Sequence, residues 1–126
     1  MKLSQQQLKI KSLIDQITLA IGDDPILSAA VALVESSLGL QLKSPTGAKG
    51  VFQLTSIAMK DLFQEMDKKG NEVIGILCGL AFIHLLIKRH GTVEEVIHHY
   101  CDPKDYDFYI QQIKAYMKEL SDDPLQ

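Results

Sequence analysis

The apolar residues of this chain recur at helical rather than strand spacing along most of its length. Leu13, Ile14, Ile17 and Ile21 form a stripe that stops at Gly22, and Ser4 with Gln7 has the pattern of a capping box ahead of it, so a first helix is predicted there. Asp24 followed by Pro25 reads as an N-cap and a proline at the first helical position. Leu27, Ala30, Val31 and Val34 then share one face, at the i, i+3, i+4, i+7 spacing of a core-packed helix, with Gly39 as its stop. Residues 40–50 read as a loop with room for a short hairpin, in which Ser44-Pro45-Thr46-Gly47 fits a type I turn.

A third helix is predicted from about Ser56 to Met66, followed by a polar linker from Asp67 to Asn71. The run VIGILCGLAFIHLLI, residues 73–87, contains two glycines and a histidine. It is shorter than the ~20 residues of a membrane span, so no span is expected and a central buried helix is. That helix should end near Gly91. Thr92 and Glu95 form a second capping-box pattern, opening a short helix to about Tyr100. Asp102-Pro103 breaks it, a last helix runs from about Lys104 to Leu120, and the tail SDDPLQ is expected to fray. The expectation is one all-α domain over residues 1–126, with at most a minor β-hairpin, built around the central apolar helix.

Composition narrows the function classes. At 126 residues the chain has the length of one domain and needs no metal or disulfide staple. Its hydrophobic fraction of 46% and charged fraction of 23% are those of a globular protein. A net charge of -3, with no basic cluster larger than Lys88-Arg89, argues against a nucleic-acid partner. Cys78 and Cys101 make neither a disulfide framework nor a CxxC pair, and Cys78, inside the apolar run, reads as a small core residue. Of the histidines, His84, His90, His98 and His99, the adjacent His98 and His99 point to different helix faces, so neither a metal nor a cofactor is expected. The opening MKLSQQQLKIKSLIDQ has no signal-peptide core.

The candidate chemistry lies in VALVESSLGLQLKSPTGAKGVFQL, residues 31–54. Glu35 falls in the last turn of its helix, where the macrodipole is negative, and beside apolar neighbours that would partly bury it. Both effects favour the uncharged carboxyl that a general acid needs. On the residues alone it reads equally as a solvated charge at a helix end. Gly47, Ala48 and Gly50 permit turns and close approaches, and Gln53 offers an amide that donates and accepts. A glycine-lined wall facing a carboxyl suits a sugar chain.

Glu35-Ser36 followed by SPTGAKGVFQL closely resembles the soluble lytic transglycosylase domain, related to goose-type lysozyme. That family shows an apolar helix ending in ES, then S-x-x-G-A-x-G-[LV]-[MF]-Q. The similarity spans about residues 25–116, with the family's A-Y-N altered to His99-Tyr100-Cys101 and its later tyrosine matched by Tyr109. Cys101 in place of asparagine, DPKD in place of a glycine-rich continuation, and Leu38-Gly39 in place of Asn-Pro are departures.

The resemblance implies a lysozyme-like helical domain acting on peptidoglycan glycan strands without a cofactor. The bond cut would be the β-1,4 link between N-acetylmuramic acid and N-acetylglucosamine. Glu35 would be the acid and then the base, giving a 1,6-anhydro product with help from the substrate's acetamido group. Ser36 would orient Glu35 or that group. Gly50, Val51, Phe52 and Gln53 would bind N-acetyl groups, Tyr100 would line the cleft, and Tyr109 would reach Glu35 or substrate. Two other readings fit the same residues. One is a hydrolytic lysozyme drawing a second carboxylate from Asp102, Asp105 or Asp107. The other is a non-catalytic glycan-binding virion protein. With no signal peptide visible, delivery to the cell wall by a bacteriophage particle or a secretion apparatus is expected.

Overall fold

Ser4 and Gln7 satisfy each other reciprocally at the start of the first helix: Gln7 N donates to Ser4 Oγ at 3.2 Å and Ser4 N donates to Gln7 Oε1 at 2.9 Å. The computed structural model describes residues 1–122 and places them in six helices, α1 (Gln5–Ala20), α2 (Pro25–Ser36), α3 (Ser56–Glu65), α4 (Glu72–His90), α5 (Val93–Tyr100) and α6 (Tyr106–Asp122). The fold is all-α, with no strand among the described residues. Of the tail SDDPLQ, Ser121 and Asp122 extend α6, and the rest lies outside the described residues. The chain divides into two compact units, Met1–Ile74 and Gly75–Gln126.

In the first unit α1 packs on α2. Asp24 caps α2 by accepting from Ile26 N at 2.9 Å, with Pro25 in the first turn. The core is Ile14, Ala32 and Leu38, with Leu3, Ile10, Leu33 and Val51 packed against it. The buried face of α2 is therefore Ala29, Ala32 and Ser36, not the predicted Leu27, Ala30, Val31 and Val34. Leu27 is 64% exposed and Val34 84%. The small alanines let Ile14 of α1 close down on α2, which the branched side chains of the neighbouring face would prevent. Of the predicted α1 stripe, Ile14 is buried, whereas Leu13 and Ile17 are exposed.

Beyond Ser36 three consecutive residues, Ser37, Leu38 and Gly39, have positive φ (54°, 54° and 88°). Non-glycine residues hold that conformation only when their surroundings over-determine it. Here Leu38 is wholly buried, and Gln7 Nε2 donates to Ser37 O at 3.0 Å. Gln7 thus caps α1 and clamps the exit from α2. The Ser44–Gly47 turn closes as predicted, with Gly47 N on Ser44 O at 3.1 Å. The hairpin reduces to isolated antiparallel bridges, Lys43–Lys49 and Lys49–Leu54.

In the second unit the apolar helix forms over Glu72–His90, but it is not buried: Leu86 alone of its side chains is buried. Val73, Ile76, Leu80, Phe82 and Ile87 are exposed and Cys78 is half-buried. Apolar residues surround this helix, and the eight-residue α5 is too short to cover more than part of one side. At 19 residues α4 is also long and apolar enough to cross a membrane by length and composition. Thr92 caps α5 by accepting from Glu95 N at 3.2 Å. Helix α6 starts at Tyr106 rather than Lys104, because Asp105 Oδ1 accepts from Phe108 N at 3.1 Å and so serves as its cap. An ion pair between Glu94 and Lys114 joins α5 to α6.

Two stability predictions follow from these contacts. At Gly39 a Cβ would sit 3.4 Å from Ile10 Cγ1 on a backbone of φ +88°, so Gly39→Ala should destabilise the first unit. A cost of about 1–2 kcal/mol is expected, read by urea unfolding followed by circular dichroism. The Lys114 ammonium holds the Glu94 carboxyl below its usual range. The unfolded state then binds that proton more readily, so the contribution is present at neutral pH and lost as pH falls through the carboxylate range, below about 4.3. Lys114→Met should lower the thermal midpoint slightly at about pH 7 and leave it unchanged at about pH 2.

Candidate active site

Ser36 is the last residue of α2 and is 1% exposed. Its Oγ donates to Val51 O at 2.6 Å and accepts from Gly39 N at 2.9 Å. That hydroxyl therefore ties the end of α2 to the glycine-bearing loop and to the positive-φ turn at once. With both bonds made inside the protein, the Ser36 hydroxyl lies almost wholly buried next to Glu35 at the helix end. The same bond occupies the Val51 carbonyl, which is thereby withdrawn from ligand recognition.

The loop holds its own shape. Lys49 and Leu54 exchange backbone bonds of 3.0 and 2.9 Å, and Gly50 N donates to Leu42 O at 2.9 Å. Gln53 Nε2 donates to Leu42 O at 2.9 Å and to Gly50 O at 2.8 Å, so the amide nitrogen braces the loop and Oε1 is left as the acceptor. Gly50 has φ +85° with open space where a Cβ would be, so glycine is required there by conformation and not by a close approach. Val51 and Phe52 turn their side chains toward α1, lining a hollow of about 220 Å³ with Ile10, Ile14 and Ile17. The Phe52 N–H and carbonyl have no hydrogen-bond partner among the described residues.

Glu35 lies in the last turn of α2, with no basic residue in that turn. It is exposed, which corrects the expected partial burial. The cause is the rotation of α2 described above: the face through Ala29, Ala32 and Ser36 turns inward and leaves Val31, Val34 and Glu35 outward. Together with Ala30 these three line a shallow hollow of about 250 Å³. The Glu35 carboxylate forms no ion pair among the described residues.

Tyr100 and Tyr109 belong to the second unit. There they share an apolar groove of about 480 Å³ with Ile83, Ile87, Ile97 and Met117. Tyr100 is 41% exposed, and its ring centroid is 5.5 Å from that of Phe82. The Cys101 thiol beside Tyr109, and then removal from water, push that phenol above the usual tyrosine range. Cys101, where the resembling family carries asparagine, is thus a neighbour of the tyrosine. Asp102 accepts from Tyr106 OH at 3.1 Å and Asp105 caps α6, so both are engaged structurally.

Sequence reasoning missed Gln7 as a part of this site. Its capping-box pattern was legible, but its second bond crosses thirty residues to Ser37, and nothing local signals that. Ser36→Ala would orphan Val51 O and Gly39 N and should cost about 1–3 kcal/mol. Faster hydrogen exchange at the Gly39 amide, with Gly22 unchanged, is the expected readout. Comparison with protein-family models, with curated proteins and with solved structures finds no match for this chain.

Proposed function

We propose that the chain is a peptidoglycan lytic transglycosylase with Glu35 as its acid and base. The observation that carries this reading is the Ser36 Oγ to Val51 O bond of 2.6 Å, which sets the glycine-bearing loop against the helix end bearing Glu35. The free Phe52 amide and carbonyl and the Gln53 Oε1 on that loop are the groups an N-acetyl sugar needs. In the proposed reaction the Glu35 carboxyl protonates the departing glycosidic oxygen while the substrate's own acetamido oxygen closes on C1, an exception to the two-carboxylate rule. The carboxylate then takes the proton of the sugar's 6-hydroxyl, whose oxygen displaces the acetamido oxygen from C1 and closes the 1,6-anhydro ring. Asp102 and Asp105 are engaged by Tyr106 OH and Phe108 N, which leaves Asp107 as the remaining second carboxylate of the hydrolytic alternative.

The exposure of Glu35 favours a second reading, a glycan-binding virion protein that performs no cleavage. Muropeptide mass spectrometry separates the readings. Parent protein should release anhydro-muramic ends without new reducing ends, and Glu35→Gln should slow release by at least about 10²-fold. Reducing ends would indicate the lysozyme. Glycan retention without cleavage by the parent would establish the binding protein, and equal clearance by Glu35→Gln would remove Glu35 from the chemistry. Action at the bacterial cell wall, with delivery by a phage particle or a secretion apparatus, belongs to the same proposal.

A further inference from the structure

The connection between α4 and α5 brings together three metal-binding side chains. Gly91 takes φ +80° as its N–H returns to Ile87 O at 2.9 Å, and Thr92 N donates to His90 O at 3.0 Å. This two-residue link folds His90, the last residue of α4, back over the first turns of α5. Glu95 and His99 stand one turn apart on α5 and face it. One ligand atom from each of His90, Glu95 and His99 lies within 4.8 Å of the others. The rings of His90 and His99 stack with centroids 3.8 Å apart and planes 9° apart.

We propose that His90, Glu95 and His99 form a binding site for a divalent zinc-type ion. Two imidazoles and one carboxylate are a donor set that holds zinc with one position open to water. A tetrahedral site needs donor atoms about 3.4 Å apart. Closing to that distance requires the stacked rings of His90 and His99 to turn so that their in-plane lone pairs converge, and Glu95 and His99 are exposed. A second observation points the same way. His99 Nδ1 lies 2.8 Å from Glu95 O and 3.8 Å from Glu95 Oε2, so the Nδ1 edge of the ring is the one turned to Glu95. The negative carbonyl end of α4, at His90, adds a favourable field for a cation. His98 is not part of the set: its ring stacks on Tyr106 at 4.3 Å. The adjacent His98 and His99 rings meet edge to face at 5.4 Å, and the Gly91 turn supplies His90 as the second histidine of the cluster.

Calorimetric titration of the full chain with ZnCl₂ tests this site. One ion per chain is expected, with affinity lowered by about tenfold or more in His90→Asn, Glu95→Gln and His99→Ala and unchanged in His98→Ala. Circular dichroism checks that each variant keeps its helices. Independently of any variant, NMR should show zinc-dependent shifts of the His90 and His99 imidazoles but not of His84. Substituted Co²⁺ should give a nitrogen- and oxygen-ligand spectrum. Absence of binding, full binding by a His90→Asn/His99→Ala double variant, shifts confined to other histidines, or a thiolate charge-transfer band placing the ion on Cys78 or Cys101 would each overturn the proposal.

Discussion

One buried hydroxyl holds the first unit in its working shape. Ser36 Oγ accepts from Gly39 N and donates to Val51 O, and both partners would be unsatisfied in the interior without it. Leu38, between Ser36 and Gly39, is forced into positive φ and fills the core beside Ile14 and Ala32. Gln7 closes the same turn from the other side, through Ser37 O. The direction in which the chain leaves α2, the seat of the loop and the position of Glu35 all depend on this knot of polar bonds around a buried leucine.

The second unit is organised differently. Its contacts are short in range: α5 packs on α6, the Glu94–Lys114 pair bridges them, and the tyrosines line a groove with isoleucines and methionine. Helix α4 has apolar residues on every side and more surface than its neighbours in that unit cover. Its polar chemistry gathers at the α4–α5 link, where a glycine and a threonine cap reverse the chain within two residues.

How much of this was legible in the sequence depends on the range of each interaction. Thr92 caps α5 as expected, but without the return bond from the Glu95 side chain, its own N–H going to His90 O. Ser4-Gln7, Asp24-Pro25 and the Ser44–Gly47 turn were read correctly because each bonds within three residues of itself. The faces of the helices were not. Periodicity marked Leu27, Val31 and Val34 of α2 as core, yet Ala29 and Ala32 are buried, because an apolar helix offers several plausible faces and its partner selects one. The same ambiguity made α4 read as a buried centre. In the candidate site Glu35 and the loop were legible as a pattern, whereas the burial of Ser36, the bracing role of the Gln53 amide and the second duty of Gln7 were not.

Although α2 ends at Ser36, short of Gly39, and α6 begins at Tyr106, the sequence by itself determined an all-helical chain, most of its helix starts, and the neighbourhood of one carboxyl with a glycine-bearing loop. Those are consequences of local capping, backbone preference and residue order. Only the tertiary structure decided which side of α2 turns inward, and so that Ser36 is a buried strut and Glu35 an exposed carboxyl. It also decided that His90 meets Glu95 and His99. Both outcomes rest on which residues distant in space or across a turn are close enough to bond or pack, and no local pattern encodes that.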